Sequence, residues 1–138
     1  MNAAARQTIL VVDDDESNRG VLDALLSQAG YDVHLAVDGA SGIAVAGARF
    51  AVAFVDIHLP DMWGTEVIKV VREASPDTFI IAATIDDIPD TIHAAYEAGC
   101  DMFLVKPYDV TRITQLVQEA RRGQRWLMDR FGLREYLG

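Results

Sequence analysis

Residues 8–17 read TILVVDDDES. The run Ile9–Val12 is apolar throughout and does not alternate with polar residues. That is the pattern of a strand buried on both faces, as in a parallel sheet covered by helices. It ends against four consecutive acids, Asp13, Asp14, Asp15 and Glu16. Like charges crowded at the mouth of a buried strand repel, so the fold must supply something that offsets them.

Four further runs follow: DVHLAV (32–37), AVAFV (51–55), TFIIAA (78–83) and MFLV (102–105). The run at 32–37 mixes polar and apolar residues and suits a strand nearer an edge. Helical spacing fills the intervals. Ser17–Ala29 places Val21, Leu22, Leu25 and Leu26 on one face before Gly30, with Asp15 or a neighbour available as N-cap. Ala40–Ala48, Thr65–Ala74, Asp90–Ala98 and Val110–Arg122 complete the series, the last two followed by Gly99 and Gly123. Strand and helix alternate five times, which predicts a doubly wound α/β domain.

The 138 residues suffice for one domain. Residues 1–120 hold 7 basic and 19 acidic side chains, so the body lacks the basic face that nucleic acid requires and would attract cations or a basic partner. Residues 121–138 reverse the balance, with 5 Arg and 2 acids. Cys100 is the only cysteine, which excludes an intrachain disulfide and any cysteine metal cluster. No signal peptide and no membrane span is legible, and the chain reads as cytoplasmic.

Ligands of doubly wound sheets sit beyond the carboxyl ends of the strands. The residues immediately after the apolar runs are Asp13 and Asp14, Asp56, Thr84 and Lys106. A helix N-terminus alone would account for one or two acids through the macrodipole. It does not account for their coincidence with Asp56 and Lys106. Two carboxylates about 4 Å apart repel by roughly 4 kcal/mol at an effective dielectric near 20. A divalent cation offsets this, and hard oxygen donors select Mg2+, with Mn2+ or Ca2+ as alternatives. A carboxylate beside such an ion can attack phosphorus, with Lys106 and the Thr84 hydroxyl steadying the phosphoryl oxygens.

Four separated segments, VVDDDESNR, VDIHLPDMWG, IIAAT and AGCDMFLVKPY, resemble in type and order the receiver domain of bacterial two-component response regulators. The resemblance runs from Thr8 to Arg122. It implies a flavodoxin-like five-stranded parallel sheet of order 2-1-3-4-5 with five helices. It implies phosphorylation of Asp56 by a histidine kinase or phosphotransfer protein, with no turnover of other substrates. Asp13, Asp14, Asp56 and the backbone carbonyl of His58 would hold Mg2+, Thr84 and Lys106 would bind the phosphoryl group, and Phe103 would be the aromatic switch. Read from the residues alone, Phe103 is a core side chain. The resemblance also implies a cis Lys106–Pro107 bond. Ile85 departs from the Ala or Gly usual after the Thr and should crowd the approach to Asp56. His58 and Asp86 flank the site where phosphate lifetime is tuned. The output would be altered binding of a downstream protein or output domain.

Residues 1–123 are expected to form the receiver and 124–138 an extension. Leu127–Phe131 and Leu133–Leu137 have i,i+4 spacing, which predicts a short helix. Such a helix would dock on its own domain, form a homodimer contact or begin a linker. Two other functions remain open: a pseudo-receiver that binds partners without phosphate, supported by Ile85, and a phosphatase of the haloacid dehalogenase type, supported by Asp13–Asp15 after a strand. Direct binding of nucleic acid or membrane is not expected.

Overall fold

The computed structural model describes residues 7–107, 109–120, 126–129 and 132–135. The elements run β1 (Thr8–Val12), α1 (Glu16–Gln28), β2 (Asp32–Ala36), α2 (Gly39–Ala44), β3 (Val52–Asp56), α3 (Gly64–Ala74), β4 (Phe79–Thr84), α4 (Pro89–Ala98) and β5 (Met102–Val105). A 3-10 turn at Val110–Arg112 leads into α5 (Ile113–Ala120), and β6 (Trp126–Asp129) and β7 (Gly132–Glu135) follow. One sheet holds all seven strands in the order β2-β1-β3-β4-β5-β6-β7. The first five are parallel and in the order 2-1-3-4-5. None of the described helices is long and apolar enough to cross a membrane.

The uninterrupted apolar runs have a direct cause. Successive side chains of a strand point to opposite faces, and here each face carries its own core. Leu10, Val12, Ala53, Val55, Ile80, Ala82, Phe103 and Val105 pack with Val67, Ile68 and Val71 of α3 and Ala95 and Ala98 of α4. The alternate residues Ile9, Val11, Val52, Phe54, Ile81, Ala83, Met102 and Leu104 pack with Leu22 and Leu26 of α1 and Ile113, Leu116 and Val117 of α5. The mixed run at 32–37 is the edge strand β2, as its polarity predicts.

Two elements differ from expectation. The segment expected as a helix after residue 124 contains β6 and β7 instead. β6 pairs in parallel with β5, Phe103 opposite Leu127 and Leu104 opposite Met128, and β7 returns antiparallel. Periodicity cannot separate helix from strand in so short an apolar run. β5 otherwise presents an open row of amides and carbonyls, and pairing satisfies them, whereas an isolated helix of this length is marginal. Gly123, expected to end α5, lies outside the described residues, as do Phe131, Tyr136 and Leu137 of the expected helix. The second helix is also shorter than the expected 40–48, because GASGIAVAGA carries glycines that weaken a helix interior.

The turn after β3 depends on one glycine. The amide of Gly64 donates to the carbonyl of Ile57 at 2.7 Å, which folds the loop back so that α3 starts beside Asp56. A Cβ at this position would stand 2.1 Å from the backbone oxygen of Asp56 and 2.7 Å from Cα of Ile57. Backbone cannot yield as a flexible side chain can. The expected outcome for Gly64→Ala is a loss of about 2–3 kcal/mol of stability by urea denaturation. A variant as stable as the parent would show that the loop tolerates a wider path.

Candidate functional site

The sheet carries four of the expected groups to one point. Asp13 follows β1, Asp56 ends β3, and Lys106 follows β5. Asp13 and Asp56 are almost fully buried and Lys106 is partly buried, while Asp14 is exposed. The Lys106 ammonium donates to Asp13 Oδ2 at 3.1 Å and to Asp56 Oδ2 at 3.0 Å. One carboxylate oxygen from each of Asp13, Asp14 and Asp56 lies within 4.8 Å of the others. These are hard oxygen donors with a net negative charge, which is the donor set a divalent cation of the Mg2+ or Ca2+ class takes.

The neighbours fix these groups in place. The amide of His58 donates to Asp56 Oδ1 at 3.1 Å, and that of Asp15 to Asp13 Oδ1 at 2.9 Å. Burial pushes the Asp56 carboxyl above the ordinary range, and the Asp13 charge adds to this. Lys106 and the His58 amide oppose the rise without cancelling it. Burial works against the charged form of Lys106, but attraction to Asp56 and Asp13 prevails and its pKa is raised.

Thr84 is fully buried at the end of β4, one residue beyond Ala83, which is the register partner of Asp56. Its hydroxyl accepts from the Asp86 amide at 3.3 Å, and its carbonyl accepts from the Lys106 amide at 2.7 Å. The Lys106–Pro107 bond is cis. His58 Nε2 stands 3.9 Å from Asp86 Oδ2, so the two flanking residues face each other. Asp86 also accepts from the Thr91 hydroxyl at 2.9 Å, which ties the loop to α4. The His58 and Trp63 rings lie 5.2 Å apart. Ile85 is 75% exposed. Phe103 lies apart from the charged cluster, fully buried against the α3–α4 side of the sheet.

Three residues that the sequence did not single out shape the same region. The Asn18 side-chain amide donates to Asp13 Oδ2. Arg19 donates to the Asp13 carbonyl at 2.8 Å. Asp61 accepts from the amides of Gly39 and Ala40 at 2.8 and 2.9 Å, and those bonds hold its carboxyl below the ordinary range. It thus anchors the start of α2 to the loop after β3.

The sequence profile of the response regulator receiver domain matches residues 9–118. The chain belongs to this family. A Xanthomonas campestris sensory/regulatory protein, RpfC, is 37% identical over 105 residues, covering 72% of this chain and 14% of its own length. The transcriptional regulatory protein ZraR of Salmonella typhimurium is 33% identical over 113 residues, covering 81% of this chain and 26% of its own length. The receiver therefore spans a third or less of the length of these relatives. Among solved structures, a Burkholderia pseudomallei response regulator with a phosphorylated aspartic acid, calcium ion and citrate superposes with a TM-score of 0.76 at 31% identity. It covers 84% of this chain and 69% of that one. Vibrio cholerae chemotaxis regulator CheY4 superposes at 0.77 with 32% identity, covering 84% and 99%. Family membership and the acidic cluster together indicate a divalent-metal site in a signalling domain. The matched family is a signalling family.

In the metal-free receiver the Asp56 charge is a liability. Its folded-state pKa is raised, so ionisation favours the unfolded chain above that pKa, and the effect fades as pH falls toward the unfolded value. Asp56→Asn, measured in EDTA at pH 7, is expected to be more stable than the parent. The gain should shrink toward zero on acidification. Equal urea midpoints at pH 7 would place the Lys106 attraction ahead of burial.

Proposed function

We propose that this receiver is a phosphorylation-operated switch in which Asp56 accepts a phosphoryl group from a histidine kinase or phosphotransfer protein. The observation that carries the proposal is the Lys106 ammonium shared by Asp56 and Asp13, with Asp14 beside them. An Asp56 oxygen would form the new P–O bond as the donor's P–N bond breaks, and the electron pair would leave on the imidazole nitrogen, which takes up a proton. Lys106 would then pair with the added charge, and the Thr84 hydroxyl would donate to a phosphoryl oxygen. Asp13, Asp14, Asp56 and the His58 carbonyl would hold Mg2+, or Mn2+ or Ca2+ in its place. When bound, such an ion offsets the negative charge of the carboxylates and of the incoming phosphoryl oxygens.

The output would follow from Thr84. Its hydroxyl accepts from the Asp86 amide, so turning toward a phosphoryl group would release that contact and free the β4–α4 loop. Phe103, in the core behind this loop, would repack, and the α4–β5 surface presented to a downstream protein or output domain would change. A dianionic group supplies the differential contacts that shift such an equilibrium.

Incubation with Mg2+ and acetyl phosphate, followed by intact-protein mass spectrometry, should show a gain of one phosphoryl group. The gain should vanish in Asp56→Asn and in EDTA. An unmodified parent that still binds its partner would establish the pseudo-receiver reading instead. Ile85→Ala is expected to react several-fold faster with acetyl phosphate, because a branched side chain directly after Thr84 would crowd the approach to Asp56. Matching rates for variant and parent would remove its gating role.

A further inference from the structure

The segment DDDESNR interlocks more tightly than helix capping requires. Asp15 caps α1, its Oδ1 accepting from the Asn18 amide at 3.2 Å. This brings the Asn18 and Arg19 side chains back toward Asp13, five and six residues earlier. Arg19 holds only the Asp13 backbone carbonyl. Asn18 reaches the carboxylate itself, donating to Oδ2, the same oxygen that receives Lys106. The other oxygen, Oδ1, takes the Asp15 amide. The carboxylate plane is therefore fixed by three donors on two oxygens.

We propose that Asn18 is a positioning residue for the metal seat, setting the orientation of the Asp13 carboxylate before the ion arrives. The inference rests on the metal site argued above. Each carboxylate oxygen carries two lone pairs; Oδ2 uses both on Asn18 and Lys106, while Oδ1, engaged once by the Asp15 amide, keeps one for a cation. Lys106 is a mobile ammonium on a flexible stem and is shared with Asp56. It cannot fix the plane of Asp13 by itself, and its attention is divided further once Asp56 carries a phosphoryl group. The Asn18 amide is neutral and is held by a capped helix turn. It orients Asp13 without adding a positive charge that would oppose the cation, as an Arg or Lys at this position would. Hydrogen-bond partners of metal-ligating carboxylates typically contribute tenfold to a hundredfold in metal affinity. Asn18 is half-buried, which places the expected effect at the lower end.

The probe is Mg2+ alone, titrated calorimetrically into the full chain. Asn18→Leu keeps the side-chain size but removes the donor, and is expected to raise the Mg2+ Kd about tenfold while the melting temperature in EDTA stays near that of the parent. Asn18→Gln, which keeps an amide on a longer stem, should recover part of the affinity. Arg19→Gln separates scaffold from positioning: it should lower metal-free stability with a smaller change in Kd. If Asn18→Leu does not fold, Asn18→Ser removes the reach of the amide at lower cost and carries the same expectation. A Kd within twofold of the parent, or a tighter one, would overturn the inference, the latter showing that the amide competes with the ion. A parent that binds no Mg2+ would overturn the metal seat and the inference with it. A parent that binds Mg2+ beside an unaffected Asn18→Leu would overturn the inference alone.

Discussion

A single ammonium group held between two buried carboxylates organises this molecule. Asp13, Asp56 and Lys106 sit at the ends of three different strands, 43 and 50 residues apart in sequence, and meet because β1, β3, β4 and β5 lie side by side in parallel. Every other strand-end feature is arranged around that meeting. A parallel sheet places the carboxyl ends of its strands along one edge, and the charge that collects there must be balanced within the fold or by what binds it. Lys106 balances one of three carboxylate charges. The remaining acidity is what makes the pocket receptive to a cation, and the raised pKa of Asp56 shows that burial is only partly offset by the lysine.

The groups that carry this charge were legible because each follows an apolar run directly. A run without alternation identifies a strand buried on both faces, and the residue after it must lie at the edge where ligands bind. The same logic could not find Asn18, Arg19 or Asp61. Their contacts run backward from a helix or across 21 or more residues between loops, and polar side chains on a helix read the same whether they face water or a neighbour. The close approach of His58 to Asp86 was equally hidden, since it depends on how two loops lean together. Residues 126–135 misled for another reason. Their i,i+4 spacing is satisfied by a helix, but the deciding term is the unpaired edge of β5, which belongs to a distant part of the chain.

The hairpin of β6 and β7 alters what the sheet presents to a partner. Without it, β5 would be an edge strand beside α4 and α5. With it, the residue opposite Leu127 is Phe103, so the chain's last described elements are bonded to the strand that carries the buried aromatic ring. β5 and β6 are thus joined backbone to backbone at Phe103–Leu127 and Leu104–Met128.

The two halves of the pocket differ in how they are held, and a switch needs that difference. Around Asp13, the chain is locked by the Asp15 cap, by the Asn18 and Arg19 side chains, and by an amide of Asp13 that donates to the Ala36 carbonyl at 3.1 Å. Around Thr84, the loop into α4 makes short local contacts: the Asp86 carboxylate accepts from Ile88 and Thr91, and the Thr84 hydroxyl accepts from the Asp86 amide. Ile85 and Ile88 of that loop are exposed apolar side chains that contribute little burial. Segments with few buried apolar contacts are those that rearrange at low cost. A new charge at Asp56 would therefore act between a more firmly held wall and a less firmly held one. Under the proposed function, that asymmetry would direct the response toward α4 and β5 and away from α1.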